Sequence, residues 1–189
     1  MEPSRTEYID GKFLRVYDNI FSHEDIIKFN HSMLIANFSC LQASKEETRK
    51  YKEWVATFDS DDFKNHWLAK ACETILSTMP ETKDKKYKLG RTFCNLFSFG
   101  SYTFSHCDSA DTLNAASEIS FLYLANYEWD HEWGGETIFF DQSFEPKLCV
   151  GVKPGRLVVF TGDMNHRAGI PTRYCEDHRL SFSLRYTPC

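Results

Sequence analysis

A chain of 189 residues has the length of one domain and is long enough to bury most of the surface its unfolded form would expose. With 42% hydrophobic and 15% aromatic residues, 16 of them Phe and 9 Tyr, it is not a disordered segment, and the aromatic content favours strands. A formal net charge of -5 supplies no field that would gather a polyanion, so non-specific binding to nucleic acid or to an acidic membrane is disfavoured. The opening MEPSRTEYIDGKF is charged throughout, and no later stretch reaches the roughly 18 apolar residues of a membrane span. A cytoplasmic protein without a membrane partner is expected. Cys40, Cys72, Cys94, Cys107, Cys149, Cys175 and Cys189 are scattered and lack CxxC spacing, which fits reduced intracellular thiols better than a disulfide framework or a zinc knuckle.

In chain order, KFLRVY at 12 to 17 alternates as a strand. Ser22 with Asp25 forms a capping-box-like start for a helix carrying Ile26, Ile27, Phe29, Met33 and Leu34. A second helix is predicted from about Asp61, with Phe63, Trp67, Leu68, Ala71, Ile75 and Leu76 recurring at three and four, and it ends before Pro80. ASKEETRKYKEW, between the two, is a solvated, charged surface stretch. From Tyr87 the texture changes to short Phe-, Tyr-, Val- and Thr-rich runs, giving strands near 90 to 98, 102 to 107, 117 to 125, 136 to 140, 147 to 152, 156 to 160 and 178 to 186. The expectation is a single domain, 1 to 189. Residues 1 to 86 are its mostly helical support and 87 to 189 its core, a mainly β jelly roll with flanking helices.

Within SYTFSHCDSAD, strand alternation puts His106 and Asp108 on one side and Cys107 on the other. A mononuclear iron(II) oxygenase needs two imidazoles and one carboxylate on one face of an octahedron, with the opposite positions left open. His106 and Asp108 supply two of these donors, and His166, in GDMNHRAG, is the candidate for the third. An HxD alone is a weak signal.

The segments YLANYEWDHEWGGETIFF, VKPGRLVVFTGDMNHRAG and HRLSFSLRY change its weight. Over roughly residues 90 to 187, the chain resembles the prolyl 4-hydroxylase-like branch of the iron(II)/2-oxoglutarate-dependent dioxygenases. The ordered set of HxD, W-x-x-x-W-G-G-E-T, PG-x-L-V-x-F, H and R-L-S is far more specific than any one member of it. The resemblance implies a double-stranded β-helix, a jelly-roll variant, with iron(II) as cofactor and 2-oxoglutarate and O2 as co-substrates. It implies that Arg179 pairs with the C5 carboxylate of 2-oxoglutarate, a role suited to a guanidinium because its planar fork matches a carboxylate and keeps its charge when buried.

Alternation in RLSFSLRY sets Arg179, Ser181, Ser183 and Arg185 on one face and Leu180, Phe182, Leu184 and Tyr186 on the other. By the family's pattern Tyr123 also reaches the C5 carboxylate, against the alternative of a packed sheet aromatic, and Ser183 sits where a second hydroxyl often does. The family's tyrosine ahead of HxD has no clear match. Ser98, Phe99 and Tyr102 compete for it, and Asn95 offers a polar contact instead. The interval from His166 to Arg179 is longer than usual for prolyl hydroxylases, leaving Arg173 as a rival anchor; Arg179 is preferred because it begins an alternating strand. Gly134 and Gly135 are read as permitting a close approach, and Trp129, Trp133 and Phe139 as packing residues.

The implied activity is hydroxylation of an unactivated C–H bond of an amino-acid, peptidyl or small natural-product substrate, with succinate and carbon dioxide as co-products. Presence of Asp108 favours hydroxylation, since halogenating relatives lack that carboxylate. NLFSFG and the R-x5-R pair Arg179 and Arg185 resemble the alkylation-repair dioxygenases, so nucleic-acid demethylation is an alternative; a cupin-like binding module without turnover is another. Substrate is expected to enter past the loop after Asp108, the 167 to 177 segment and part of the 42 to 53 stretch, with Arg167, Arg173 and Asn114 as candidate contacts.

Overall fold

The computed structural model describes residues 1–109 and 117–189. Strands β1 (Arg5–Ile9), β2 (Lys12–Tyr17), β3 (Ser39–Gln42), β4 (Glu53–Phe58), β5 (Tyr87–Phe97), β6 (Ile119–Leu124), β7 (Thr137–Phe140), β8 (Pro146–Val150), β9 (Leu157–Thr161), β10 (His166–Ala168) and β11 (Arg179–Pro188) form two antiparallel sheets. The large sheet has the order β1-β2-β9-β6-β11-β5-β4-β3, and the small one β10-β7-β8. Two facing sheets joined by crossovers make the expected jelly roll.

Helix α1 (His23–Leu34) begins where Ser22 accepts from the Asp25 backbone N–H, as its sequence predicts. The single helix expected from Asp61 is two. Asp59 caps α2 (Ser60–Phe63), and His66, whose Nδ1 accepts from the Leu68 N–H at 3.2 Å, caps a new helix, α3 (Trp67–Thr78). A second competent cap inside the periodic stretch restarts the helix, and His66 stacks on Phe63 across the break with ring centroids 4.5 Å apart.

The helices cover one face of the large sheet. Phe29 and Met33 of α1 and Leu68, Cys72 and Ile75 of α3 are buried there against Phe121, Tyr123, Leu180, Phe182, Leu184 and Tyr186. Trimming any one of these larger side chains to alanine removes about 2–5 kcal/mol. The opposite face meets the small sheet. Leu14, Val16, Leu124, Val158 and Phe160 pack with Phe139, Val150 and Met164 and fill one end of the roll. At the other end β4, β5 and β11 turn a more polar face inward, and a cavity of about 590 Å3 opens between the sheets.

Several elements depart from expectation. The first 86 residues supply three helices but also four strands, β1 to β4, of the large sheet. The 42 to 53 stretch, expected as solvated surface and in part beside the substrate entrance, is exposed at Lys45, Glu46 and Glu47, and its Gln42, Ala43, Ser44, Lys45 and Glu53 line the cavity. Residues 102 to 107 do not form a strand. Only His106 pairs, through a single bridge to His166, because the Asp108 and Ser109 N–H groups both turn to the Gly162 carbonyl, at 2.9 and 3.0 Å, and lead the chain out of the sheet. No helix among the described residues is long and apolar enough to cross a membrane.

Candidate metal centre and co-substrate pocket

His106, Asp108 and His166 converge at the cavity wall, each offering one donor atom, and these atoms all lie within 4.8 Å of one another. The bridge fixes two of them: the His106 N–H donates to the His166 carbonyl and the His166 N–H to the His106 carbonyl, both at 3.0 Å. Each imidazole is then oriented by its own Nδ1, which donates to a backbone carbonyl two residues earlier, Phe104 for His106 and Met164 for His166, both at 3.0 Å. With Nδ1 carrying the hydrogen, Nε2 presents its lone pair to the cluster. These Nε2 atoms lie 3.5 Å (His106) and 3.7 Å (His166) from Asp108 Oδ1. Phe139 stacks on the His166 ring and Phe160 meets it at a steep angle, which fixes its plane.

Asp108 is held by an arginine. Arg185 donates from Nη1 to the Asp108 backbone carbonyl at 2.7 Å and from Nη2 to Oδ1. Burial pushes the Asp108 carboxyl up, but the charges of Arg185, His166 and His106 outweigh it and hold the group well below the usual carboxylate range. Burial takes His166 down to about 4, so its imidazole is neutral and ready to ligate. For His106, burial also acts downward, yet the hydrogen bond and charge of Asp108 prevail and its pKa is raised.

Two imidazole nitrogens and a carboxylate oxygen grouped at an open cavity match the donor set that a mononuclear iron(II) site with open positions requires.

Farther along β11, Arg179 is 0% exposed. Nε donates to the Gly135 carbonyl at 2.6 Å, Nη1 to Ser181 Oγ at 3.0 Å and Nη2 to Thr137 Oγ1 at 2.9 Å. All three partners are neutral, and among the described residues no carboxylate lies within ion-pair distance. Burial lowers its pKa to about 10, so it remains charged at neutral pH. A fully buried cation lining a cavity and lacking a counter-ion fits an incoming carboxylate, such as the distal end of 2-oxoglutarate. Gly135 makes the arrangement possible: at φ 81° it sits where a Cβ would lie 3.0 Å from Arg179 Cδ.

Of the other predicted residues, Asn95 and Ser183 line this cavity. Tyr123 does not, which corrects the expectation that it reaches the co-substrate. It pairs in register with Phe182, shares that residue's face, and packs under the helices with Phe29 at 5.1 Å and Phe21 at 5.5 Å. Its neighbour Leu122 faces the cavity instead. Arg167 and Arg173 are likewise corrected as cavity contacts. One residue past His166 on β10, Arg167 points outward over Phe140 at 5.7 Å, and Arg173 is exposed away from the cavity. This removes Arg173 as a rival to Arg179. Asn114 lies outside the described residues. Thr137, the last residue of W-x-x-x-W-G-G-E-T, was not singled out from sequence, although the motif contained it.

A jelly roll with this cluster at its open end is the architecture of non-haem iron oxygenases. The profile of the 2OG-Fe(II) oxygenase superfamily matches residues 93–185, and the chain belongs to that superfamily as an iron(II)/2-oxoglutarate-dependent oxygenase. No curated protein sequence matches it significantly. Among solved structures, a prolyl hydroxylase from Trichoplax adhaerens in complex with a hypoxia inducible factor peptide fragment superposes with a TM-score of 0.67 at 13% identity, covering 92% of this chain and 83% of that one. A Pseudomonas putida prolyl-4-hydroxylase gives 0.59 at 14% identity, over 93% and 92% of the two chains. The epimerase SnoN in complex with Fe3+, alpha ketoglutarate and nogalamycin RO gives 0.64 at 11% identity, over 92% and 78%. At these identities the likeness is one of fold.

Proposed function

We propose that this oxygenase hydroxylates an unactivated C–H bond of an amino-acid, peptidyl or small natural-product substrate, with His106, Asp108 and His166 as iron ligands and Arg179 as the anchor of 2-oxoglutarate. The observation that carries the reading is the buried charge of Arg179, which has only neutral partners on the wall of the cavity that also holds the three donors. Iron with 2-oxoglutarate, when bound, couples decarboxylation of the co-substrate to succinate and carbon dioxide with oxidation of a substrate C–H bond.

The chain's own residues do the positioning. Ser181 and Thr137 hold the guanidinium in one plane, so that the co-substrate carboxylate meets a fork whose direction is already set. Ser183 and Asn95 line the cavity with polar groups on neighbouring strands, and Leu122 adds an apolar wall. Asp108 fills the ligand position that halogenating relatives leave to halide, which supports hydroxylation. The likeness to prolyl hydroxylases supports a peptidyl or amino-acid substrate, and the likeness to SnoN a small natural product. Seven free cysteines support a reducing setting such as the cytoplasm.

The test is anaerobic binding of iron(II) and 2-oxoglutarate, followed by oxygen and a screen of amino acids, peptides, small metabolites and a methylated oligonucleotide for succinate release. Stimulation by one of the first three classes is expected. Stimulation by the oligonucleotide alone would transfer the activity to the repair type. Absence of 2-oxoglutarate binding to the iron-loaded protein would overturn the site assignment.

A further inference from the structure

The cavity wall holds a second arginine without a carboxylate. Arg91 on β5 is the register partner of Arg185 on β11, so two guanidinium-bearing residues lie directly opposite one another on the cavity-facing side. Their guanidinium carbons lie 4.5 Å (Arg91) and 5.1 Å (Arg185) from the centroid of the Phe93 ring, which both use as a platform. Like charges in directly opposed strand positions destabilise a sheet. Arg185 is compensated by Asp108.

Arg91 is not compensated: its Nη2 donates to Gln42 Oε1 at 2.6 Å, a neutral acceptor, and among the described residues no carboxylate lies within ion-pair distance of it. Gln42 is itself oriented, because its Nε2 donates to Thr57 Oγ1 at 3.3 Å and leaves Oε1 for Arg91. The guanidinium is therefore fixed by an aromatic platform below and an amide at one corner, with Nε and Nη1 unclaimed by any described residue. An ordinary surface arginine needs no partner. This one is held at Nη2 by Gln42, lies over the Phe93 ring and is set against a like charge, an arrangement that costs stability unless an anion joins it. Lys45 lines the same cavity and is also without an ion pair among the described residues.

We propose that Arg91, positioned by Gln42 and Phe93, is the recognition point for a carboxylate on the substrate, so that the molecule oxidised is an acid. This rests on the proposed reading of the cavity as the oxygenase site and narrows its substrate class. Gln42 takes one of the two Nη2 hydrogens, so the other still makes a two-pronged edge with its neighbouring N–H, and that edge matches one carboxylate in charge and in bidentate geometry. Arg179 is too deeply enclosed to serve the substrate once the co-substrate is bound, and Arg185 is committed to Asp108. Of the two unpaired cations that remain on the wall, Arg91 and Lys45, Arg91 is the one held in place, by Gln42 and Phe93, for the third reactant.

Two measurements test this, both on the full chain. In the first, ligand-observed NMR follows a mixture of N-acetyl amino acids, their primary amides and phenyl phosphate with the cobalt(II)- and 2-oxoglutarate-loaded protein under nitrogen. The acids are expected to saturate and the amides to bind at least about 30-fold more weakly, the loss typical of removing one member of a charged hydrogen-bonded pair. Arg91→Met, which keeps a chain to pack on Phe93, should erase the difference between acid and amide, and Arg91→Lys should restore part of it. In the second, the same panel is screened for succinate release in air. Equal binding of acids and amides, an unchanged preference in Arg91→Met, or a preference for phenyl phosphate would each overturn the proposal. Its failure is distinguishable from failure of the oxygenase reading, because the latter would appear as absent 2-oxoglutarate binding to the loaded protein before any substrate is added.

Discussion

Arg185 binds Asp108 twice, through the backbone carbonyl and through the carboxylate oxygen that also faces both histidines. One side chain thus sets both where the chain turns and where its acidic donor points. Arg185→Met should weaken anaerobic cobalt(II) or iron(II) binding by roughly 10- to 100-fold, as loss of an outer partner of a metal ligand typically does. Arg185→Lys should recover part of the loss, since it restores charge but not the two-pronged hold. Unchanged affinity in Arg185→Met would show that Asp108 is oriented by its own turn alone.

His106→Ala, Asp108→Ala and His166→Ala should each abolish iron binding and turnover, because an open three-donor site loses both affinity and geometry with any one of them. Native-like circular dichroism would separate this from unfolding. Metal binding should also depend on pH in a particular direction. Against burial, the hydrogen bond and charge of Asp108 raise His106 above its ordinary value of 6.5, so it holds its second proton more tightly than a free imidazole and the metal competes with that proton, whereas His166, at about 4, carries none. Affinity should therefore rise as pH increases through the window above 6.5, and the number of protons released per metal bound should fall across it. Isothermal titration in two buffers of different ionisation enthalpy measures that number directly.

Arg179→Ala should raise the 2-oxoglutarate requirement steeply while leaving metal affinity intact, since a buried carboxylate loses its charged partner at a cost of about 3–5 kcal/mol. Arg179→Lys should recover only part of it. Arg173→Ala, at an exposed position, should leave 2-oxoglutarate affinity unchanged. A titration in which Arg173→Ala lost affinity and Arg179→Ala did not would reverse the assignment.

Gly135→Ala tests the same anchor from the other side. The new methyl would lie 3.0 Å from Arg179 Cδ, on a residue whose φ of 81° already disfavours a side chain. A stability loss of about 1–3 kcal/mol is expected from the backbone alone. Weaker 2-oxoglutarate binding should accompany it. Loss of stability with unaltered co-substrate affinity would mean that Arg179 can shift without consequence.

A structural ion pair gives a separate stability prediction. Arg15, 8% exposed at its side chain, donates from both terminal nitrogens to Glu81, at 2.8 and 2.9 Å, and ties β2 to the segment after α3. The Arg15 hydrogen bond lowers the Glu81 pKa from its ordinary 4.5. A lowered acid contributes stability that is present above its unfolded value and is lost as pH falls through the folded value. Glu81→Gln should therefore cost about 1–3 kcal/mol at pH 7 and progressively less as pH falls below 4.5, measured by thermal melts of the metal-free protein.

Period-two patterning made much of the chemistry legible before any coordinates. It set His106 beside Asp108, and it put Arg179, Ser181, Ser183 and Arg185 on one face of β11, where the structure has them lining one cavity. Tyr123 escaped the same reasoning because β6, ISFLYL, is buried along its whole length and carries no polar face to orient it. Only its pairing with Phe182 decides the side. Strand β10 is three residues long, too short to alternate visibly, which is why Arg167 was not seen to point outward. Strands β3 and β4 were hidden by composition: SCLQ and EWVATF flank the charged 43 to 52 stretch, and Val55 and Ala56 are buried only because β5 lies beside them. The break between α2 and α3 was hidden because His66 is an uncommon cap.

The bridge between His106 and His166 gives the metal centre a place in the order of events. Two donors belong to a mutual pair of main-chain bonds, so neither imidazole has its final position until the chain has been synthesised through His166 and the small sheet has closed on it. A nascent or partly unfolded chain would offer at most the HxD half of the site. On the proposed ligand set, iron would be captured by finished molecules, and each captured ion would favour the closed sheet over any state in which that bridge is open. A one-residue slip of the bridge would turn an imidazole to the wrong face of the sheet. Metal occupancy would therefore serve as an internal check of strand register, readable in the absorption of cobalt(II) during refolding.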